Sequence, residues 1–195
     1  MIRPIVFYPQ PVLRKVASPV KEVTDEVRSL AEDMLETMYE ANGVGLAAPQ
    51  VGVSLQLAIV DVSHDPECIS YLRVNGEDAA LEDICPITFI NPQLKLLGEK
   101  DTDVEGCLSF PDLRGDITRP FEVEATVETL DGETLVIETD GLFARAIQHE
   151  TDHLFGKLFI DRMSSAKKFD TPHLGRGECR RRAGPTPATR RRPEW

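Results

Sequence analysis

Residues 148–154 read Q-H-E-T-D-H-L and lie inside an apolar stretch with the periodicity of a helix. Positions i and i+4 lie one turn apart on the same helix face, so His149 and His153 can direct imidazole nitrogens at one metal ion. Glu150 then points beside the ion, where a general base for a water molecule would stand. Two histidines do not complete a metal site, so a further ligand must come from elsewhere in the chain.

The sequence after the two histidines offers weak candidates for that ligand. The longer pattern H-E-x-x-H-x-x-G-x-x-H finds its glycine at Gly156 but has Phe159 where the last histidine would be. Asp161 comes nearly a turn after the predicted end of the helix, and Asp170 and Glu178 lie near the C-terminus. The pattern with three histidines is therefore excluded, and an acidic ligand after the helix stays an alternative.

A better candidate lies before the helix. Cys107 stands in a short strand-like segment, and one thiolate with two imidazoles leaves one of four tetrahedral positions for water. That is the layout of a catalytic zinc site and not of a closed structural one. The alternative for a single free cysteine is a small buried core residue. The pattern favours Cys107 as a ligand.

Composition predicts one globular domain with an unusual C-terminal segment. The 195 residues are 41% hydrophobic and 28% charged, with a formal net charge of −11. Seven arginines and three acidic residues fall within 170–195, which leaves 15 basic and 30 acidic residues in 1–169. The acidic body is expected to avoid DNA. We expect a catalytic domain over 1–165 and a disordered Arg/Gly/Pro-rich tail over 166–195, with an electrostatic tether to ribosomal RNA and a reading-frame change as alternatives for the tail.

The four cysteines show neither a disulfide layout nor a C-x-x-C pair, and no stretch approaches the length of a membrane span. A cytoplasmic location without a membrane partner is expected.

Periodicity and turn signals predict an α+β fold, in which antiparallel sheets pack around the central helix and a second helix lies near the N-terminus. That second helix begins after Thr24 and ends at Asn42-Gly43, with Met34 and Met38 on its core face. The central helix runs over 141–155 with Gly156 at its end. Strands are predicted at 54–62, 86–92, 93–97, 104–108, 121–130, 134–139 and 157–163.

Residues 63–85 are predicted to form a solvent-facing insertion. A second metal site at His64, Cys68 and Cys85 is a weaker interpretation, because the spacing fits no common pattern.

Three ordered motifs resemble those of the peptide deformylase family, and the resemblance extends over about residues 1–163. They are G-x-G-L-A-A-x-Q at 43–50, E-G-C-L-S at 105–109 and Q-H-E-x-D-H-L at 148–154. The resemblance implies that Cys107, His149 and His153 bind one divalent metal ion, with Fe²⁺ favoured in the cell and Zn²⁺, Ni²⁺ or Co²⁺ in purified protein. It also implies that Glu150 is the general acid/base.

The implied reaction removes the N-formyl group from formyl-methionyl nascent peptides and releases formate, with transient ribosome association. Metal-bound water attacks the formyl carbon, while Gln50 and the backbone N–H of Leu108 stabilise the oxyanion. The substrate backbone is expected to lie along Val44 and Gly45 as an added strand. An apolar methionine pocket is expected from Val44, Leu142 and Ala146.

Three charged residues near this site carry two separate expectations. Arg145 is expected near the rim of the methionine pocket, at a position where many relatives have an aliphatic residue. Glu105 and Arg119 are either a supporting ion pair that orients the metal-binding loop or two ordinary surface charges.

Two other functions remain open from the sequence. A zinc endopeptidase would find its third ligand after the helix and would tolerate Cys107→Ser. A binding module with a structural metal would need neither Glu150 nor Gln50, and the presence of both argues against it.

Overall fold

The structure is a computed structural model that describes residues 1–64 and 70–168, the last five of these as backbone. Cys68, Asp170, Glu178 and the predicted tail from residue 169 onward lie outside the described residues. The helices are α1 (Asp25–Glu40), α2 (Leu81–Ile84) and α3 (Gly141–Leu154). The strands are β1 (Gly45–Ala47), β2 (Leu57–Val60), β3 (Leu72–Val74), β4 (Glu77–Asp78), β5 (Ile87–Cys107), β6 (Phe110–Glu128), β7 (Thr134–Asp140) and β8 (Met163–Lys168).

Helix α3 is buried along most of its length, which is why its sequence has apolar residues around the polar motif. Eleven of its fourteen residues are buried, and it lies against β1, β2, β6 and β7. It ends as predicted: Gly156 follows with a φ of +68°, and a Cβ there would lie 2.5 Å from the backbone oxygen of Arg14. Glycine is therefore required at that turn.

The described strands form one connected antiparallel sheet in the order β1-β2-β5-β6-β7-β3-β4, with β8 paired to β6. The α+β class and the antiparallel pairing are confirmed. Strand β1 is at one edge of this sheet, with β2 as its neighbour. Strands β5 and β6 are joined by a turn at Leu108–Ser109 and form a long two-stranded ribbon.

Helix α1 has the predicted extent and packs its apolar face on β1, β2 and β5. Met34 and Met38 are fully buried in that layer, so their interpretation as core residues is confirmed. Burying such a side chain stabilises the fold by roughly 1.5–3 kcal/mol. Among the described residues, no helix has both the length and the apolar character needed to cross a bilayer.

Three local predictions were wrong. Residues predicted as separate strands at 86–92, 93–97 and 104–108 belong to the single strand β5, which has bulges near Ile90 and Leu97. The region 72–85 is not a plain insertion, because β3 and β4 form a hairpin that extends the sheet beyond β7. Residues 157–163 are not a strand: Phe159–Asp161 form a 3-10 helix, and β8 starts at Met163 and includes 166–168.

Candidate metal centre

Three side chains from two elements meet at one point. Cys107 lies at the end of β5, and His149 and His153 lie on consecutive turns of α3. Their ligand atoms all lie within 4.8 Å of one another, and this is the single such group of three or more found among the described residues. The structure thus brings together the three ligands predicted from the sequence. The weaker second site at His64, Cys68 and Cys85 stays a prediction, because Cys68 lies outside the described residues.

The donor set fits a divalent metal ion. Cys107 Sγ lies 3.2 Å from His153 Nε2, close to the roughly 3.3–3.8 Å that separates two ligands of a tetrahedral ion with ordinary bond lengths. The other ring nitrogen of His153 is buried without a hydrogen-bond partner among the described residues. One thiolate and two imidazoles suit Zn²⁺ or Fe²⁺.

Glu105 orients His149 from behind. Its Oε2 lies 2.9 Å from His149 Nδ1, which leaves Nε2 of the same ring to face the ligand site. Arg119 binds both carboxylate oxygens of Glu105, through Nε at 2.6 Å and Nη2 at 3.0 Å. Burial opposes ionisation, but the bonds from His149 and Arg119 outweigh it and hold the pKa of Glu105 well below its usual range. Glu105 and Arg119 are therefore a buried pair and not two surface charges.

Asp152 extends this charged cluster and was missed from the sequence. It accepts a hydrogen bond from Arg119 Nη1 at 2.7 Å and two from Arg162, at 2.7 and 2.8 Å. Arg119 is 1% exposed, so it joins Glu105 on β5 to Asp152 on α3 through the protein interior. The sequence did contain a signal for Asp152, because this acidic residue stands between His149 and His153 inside a helix that is otherwise largely apolar.

Glu150 follows His149 on α3 and is buried. One carboxylate oxygen, Oε2, is buried and has no hydrogen-bond partner among the described residues. Burial, partly offset by the charges of His149 and Arg119, raises the pKa of Glu150 to about 7. A carboxylate in this state can exchange a proton near neutral pH.

Gly45 gives Glu150 its space. A Cβ at Gly45 would lie 2.8 Å from Cδ of Glu150 and 2.9 Å from its Cγ, which is closer than real Cβ contacts come. The small residue of the first motif therefore allows edge strand β1 to lie directly against the carboxylate on α3. The sequence predicted that a substrate backbone lies along Gly45, and the structure shows that the side chain of Glu150 also lies directly against this residue.

Gln50 reaches the site through a short 3-10 helix, Ala48–Val51. Its Oε1 accepts a hydrogen bond from the N–H of Ala47 at 2.9 Å, which fixes the amide orientation. Its Nε2 then lies 3.5 Å from Cys107 Sγ and 3.3 Å from Ser109 Oγ. The donor side of the amide thus faces Cys107 and Ser109, and Leu108 lies between these two residues in the chain, in the turn between β5 and β6.

The residues predicted for the methionine pocket share one apolar cluster. Ala146 is buried in it, and Val44 and Leu142 pack against it. Arg145 was expected near the rim of that pocket, and the structure shows the partners of its guanidinium. The guanidinium donates to Glu105.

Gly45→Ala is expected to lower kcat for release of formate from formyl-methionyl peptides by about 10²-fold, with little loss of bound metal. The new methyl group would displace the Glu150 carboxylate, and a misplacement of about 1 Å is enough for a rate loss of that size. Steady-state kinetics and metal analysis of the purified variant check this. Wild-type kcat in a folded Gly45→Ala variant would show that the position of Glu150 does not matter.

Comparison with known proteins gives a consistent result. The model of the polypeptide deformylase family matches residues 2–169 of this chain. A peptide deformylase from Methylacidiphilum infernorum is 45% identical over 168 residues, which are 86% of this chain and 88% of the relative. One from Acidobacterium capsulatum is 43% identical over 168 residues, 86% of this chain and 90% of the relative.

Solved structures of similar proteins have the same fold. A peptide deformylase from Thermotoga maritima aligns with a TM-score of 0.70 at 38% identity, covering 85% of this chain and 99% of that one. A peptide deformylase from Synechococcus elongatus, solved in complex with actinonin, aligns with a TM-score of 0.71 at 36% identity, covering 84% of this chain and 79% of that one.

Proposed function

The chain belongs to the polypeptide deformylase family, and on that premise we propose how its residues remove the formyl group from N-formylmethionyl peptides. The observation that carries the proposal is the meeting of three ligand atoms within 4.8 Å of one another, with the amide of Gln50 next to Cys107. The products are formate and a peptide with a free N-terminal amine.

Cys107, His149 and His153 would hold a divalent metal ion, which would act as a Lewis acid and lower the pKa of a bound water molecule. We propose Fe²⁺ as that ion in the cell because the resemblance to the family favours it; one thiolate and two imidazoles would also accept Zn²⁺. Elemental analysis of protein purified without oxygen tests this assignment.

Glu150 moves the protons of the reaction. It takes a proton from the attacking water and returns it to the leaving nitrogen, which avoids expelling an unprotonated amine. Its pKa of about 7 in the buried site suits a group that both accepts and donates near neutral pH. A bound cation would lower that pKa and favour the accepting form at the start of the cycle.

Negative charge develops on the formyl oxygen as water adds. The side-chain amide of Gln50 and the backbone N–H of Leu108 are the proposed donors to this oxyanion. The hydrogen bond from Ala47 N–H to Gln50 Oε1 supports this role, because it keeps the NH₂ group aimed at the site before substrate arrives.

The substrate is proposed to extend edge strand β1. Its backbone would lie along Val44 and Gly45, next to Glu150, and its methionine side chain would enter the apolar cluster near Leu142 and Ala146. The edge position of β1 in the described sheet supports this mode.

Formate release from formyl-Met-Ala-Ser by iron-loaded protein prepared without oxygen tests the function. Release is expected, together with the free tripeptide. A metal-loaded and folded protein that releases no formate would contradict the proposal, and internal cleavage of unformylated peptides would point to an endopeptidase.

Gln50→Met is expected to lower kcat by about 10²–10³-fold, because it removes a donor to the oxyanion while keeping an unbranched side chain of similar length. Stopped assays with formyl-Met-Ala-Ser measure kcat and KM. Ser109→Ala removes the other partner of the Gln50 amide but keeps the donor, so its kcat should stay within about tenfold of wild type. Equal kcat values for the two variants would contradict the role of Gln50.

A further inference from the structure

Arg145 is a largely but not fully buried charge on the helix that also carries both histidines. It lies on α3 one turn before His149, and its side chain is 11% exposed. Removing an ion from water costs several kcal/mol unless partners compensate for the lost hydration. The partners of Arg145 therefore show what the arginine does.

Its guanidinium binds the ribbon of β5 and β6 at three points. Nη1 donates to Glu105 Oε1 at 2.8 Å and to the backbone oxygen of Ile117 at 3.0 Å. Nη2 donates to the backbone oxygen of Asp101 at 3.3 Å. One side chain of α3 thus contacts both strands of the ribbon.

The contact with Glu105 places Arg145 next to the metal ligands. Arg119 Nε and Arg145 Nη1 both donate to Oε1, while Oε2 receives Arg119 Nη2 and faces His149 Nδ1. Arg119 holds the carboxylate through both oxygens from its position on β6. Arg145 adds a bond from helix α3, and its guanidinium is itself bonded to the backbone of both ribbon strands.

We propose that Arg145 is a positioning residue for the metal centre: it holds Glu105 on His149 and fixes the Cys107 end of β5 against α3. The geometry supports this, since Cys107 follows Glu105 by two residues and His149 follows Arg145 by four. The guanidinium therefore joins the two elements close to the ligand of each. This inference rests on the proposed ligand set and deepens it.

The test compares Arg145→Met, Arg145→Lys and the control Arg3→Met, which removes a remote ion pair with Asp33. Each variant is loaded with Zn²⁺, and the rate of Zn²⁺ release to excess chelator is measured. We expect roughly tenfold faster release from Arg145→Met, the lower end of what loss of an outer partner of a ligand costs. Arg145→Lys should fall between Arg145→Met and wild type, and Arg3→Met should match wild type.

A second measurement uses the Co²⁺-loaded proteins, whose thiolate-to-cobalt absorption reports the Cys107 bond directly. We expect a weaker or shifted band in Arg145→Met and the wild-type band in Arg3→Met. A merely structural role would lower thermal stability without changing this band. If Arg145→Met does not fold, Arg145→Lys decides: faster release supports the proposal, and wild-type release overturns it.

Formate release from the same preparations separates this inference from the proposed function. Wild-type Zn²⁺ release and an unchanged cobalt band in folded Arg145→Met, with formate still produced, would overturn the role of Arg145 alone. The opposite result is faster metal loss from Arg145→Met together with no formate from wild-type protein that was loaded with Fe²⁺ in the absence of oxygen. That result would overturn the proposed function and would still support the positioning role of Arg145.

Discussion

Cys107→Ser is expected to weaken metal binding on the order of 10²–10³-fold and to abolish formate release at ordinary metal concentrations. A protein zinc site with four ligands has a binding free energy of about 10–16 kcal/mol, so one ligand accounts for roughly 2.5–4 kcal/mol. A serine hydroxyl replaces the thiolate poorly, because it stays protonated near neutral pH. Competition with a chromogenic chelator measures the affinity.

Cys85→Ser is the matched control for this substitution. Cys85 is also a free cysteine, but it is buried in the apolar core outside the three-ligand group. Its serine variant should keep wild-type metal affinity. If Cys107→Ser also kept it, Cys107 would not be a ligand, and an endopeptidase with an acidic ligand after the helix would be favoured.

Glu150→Gln is expected to lower kcat on the order of 10²–10⁴-fold while the metal stays bound, because the amide cannot carry the proton from water to the leaving nitrogen. Glutamine has nearly the same shape, so it fits the space left by Gly45. We expect the metal content of Glu150→Gln to equal that of the wild type and its KM to change little, while kcat falls. This combination would show that Glu150 acts in the reaction and not in metal or substrate binding.

The control for Glu150→Gln is Glu124→Gln, which removes a carboxylate on β6 that is paired with Lys95 of β5, outside the site. Its kcat should equal that of wild type. A loss of less than tenfold in Glu150→Gln would show that another group moves the proton.

The central part of the site could be predicted because it depends on local geometry. A histidine pair at i and i+4 must share a helix face, and the polar motif interrupts an apolar periodicity that only a buried helix explains. Cys107 could be proposed as a ligand from chemistry, although its distance from α3 could not be inferred. That distance depends on the length and course of β5.

The long ribbon could not be predicted, because residues 99–103 lie where both faces of the strand meet solvent. Most of them are exposed, so the alternation of apolar and polar residues that identifies a half-buried strand is absent. Pairing in register with β6 nevertheless continues through Lys100 and Asp103. In β3 and β4 a usable signal was overlooked: Asn75-Gly76 is a favoured hairpin turn, and both residues have positive φ.

The partners of long side chains were beyond the sequence as well. Arg145 lies beside Ala146 and Leu142 on α3, so its backbone position suggested the pocket. Its guanidinium turns toward Glu105 and the carbonyl oxygens of the ribbon, because a buried cation needs several acceptors. The role of Asp152 could not be predicted either, because it depends on the side chain of Arg119, which extends from β6 through the protein interior to Asp152.

The turn at Leu108–Ser109 has a consequence for the order in which the protein assembles. Closing a turn of two residues has a low entropic cost, so β5 and β6 can pair while the rest of the chain is still unfolded. Glu105, Cys107 and Arg119 then meet within one hairpin, whereas both histidines arrive only when α3 docks. We expect metal uptake to coincide with that last docking step, so cobalt absorption during refolding would follow completion of the native state.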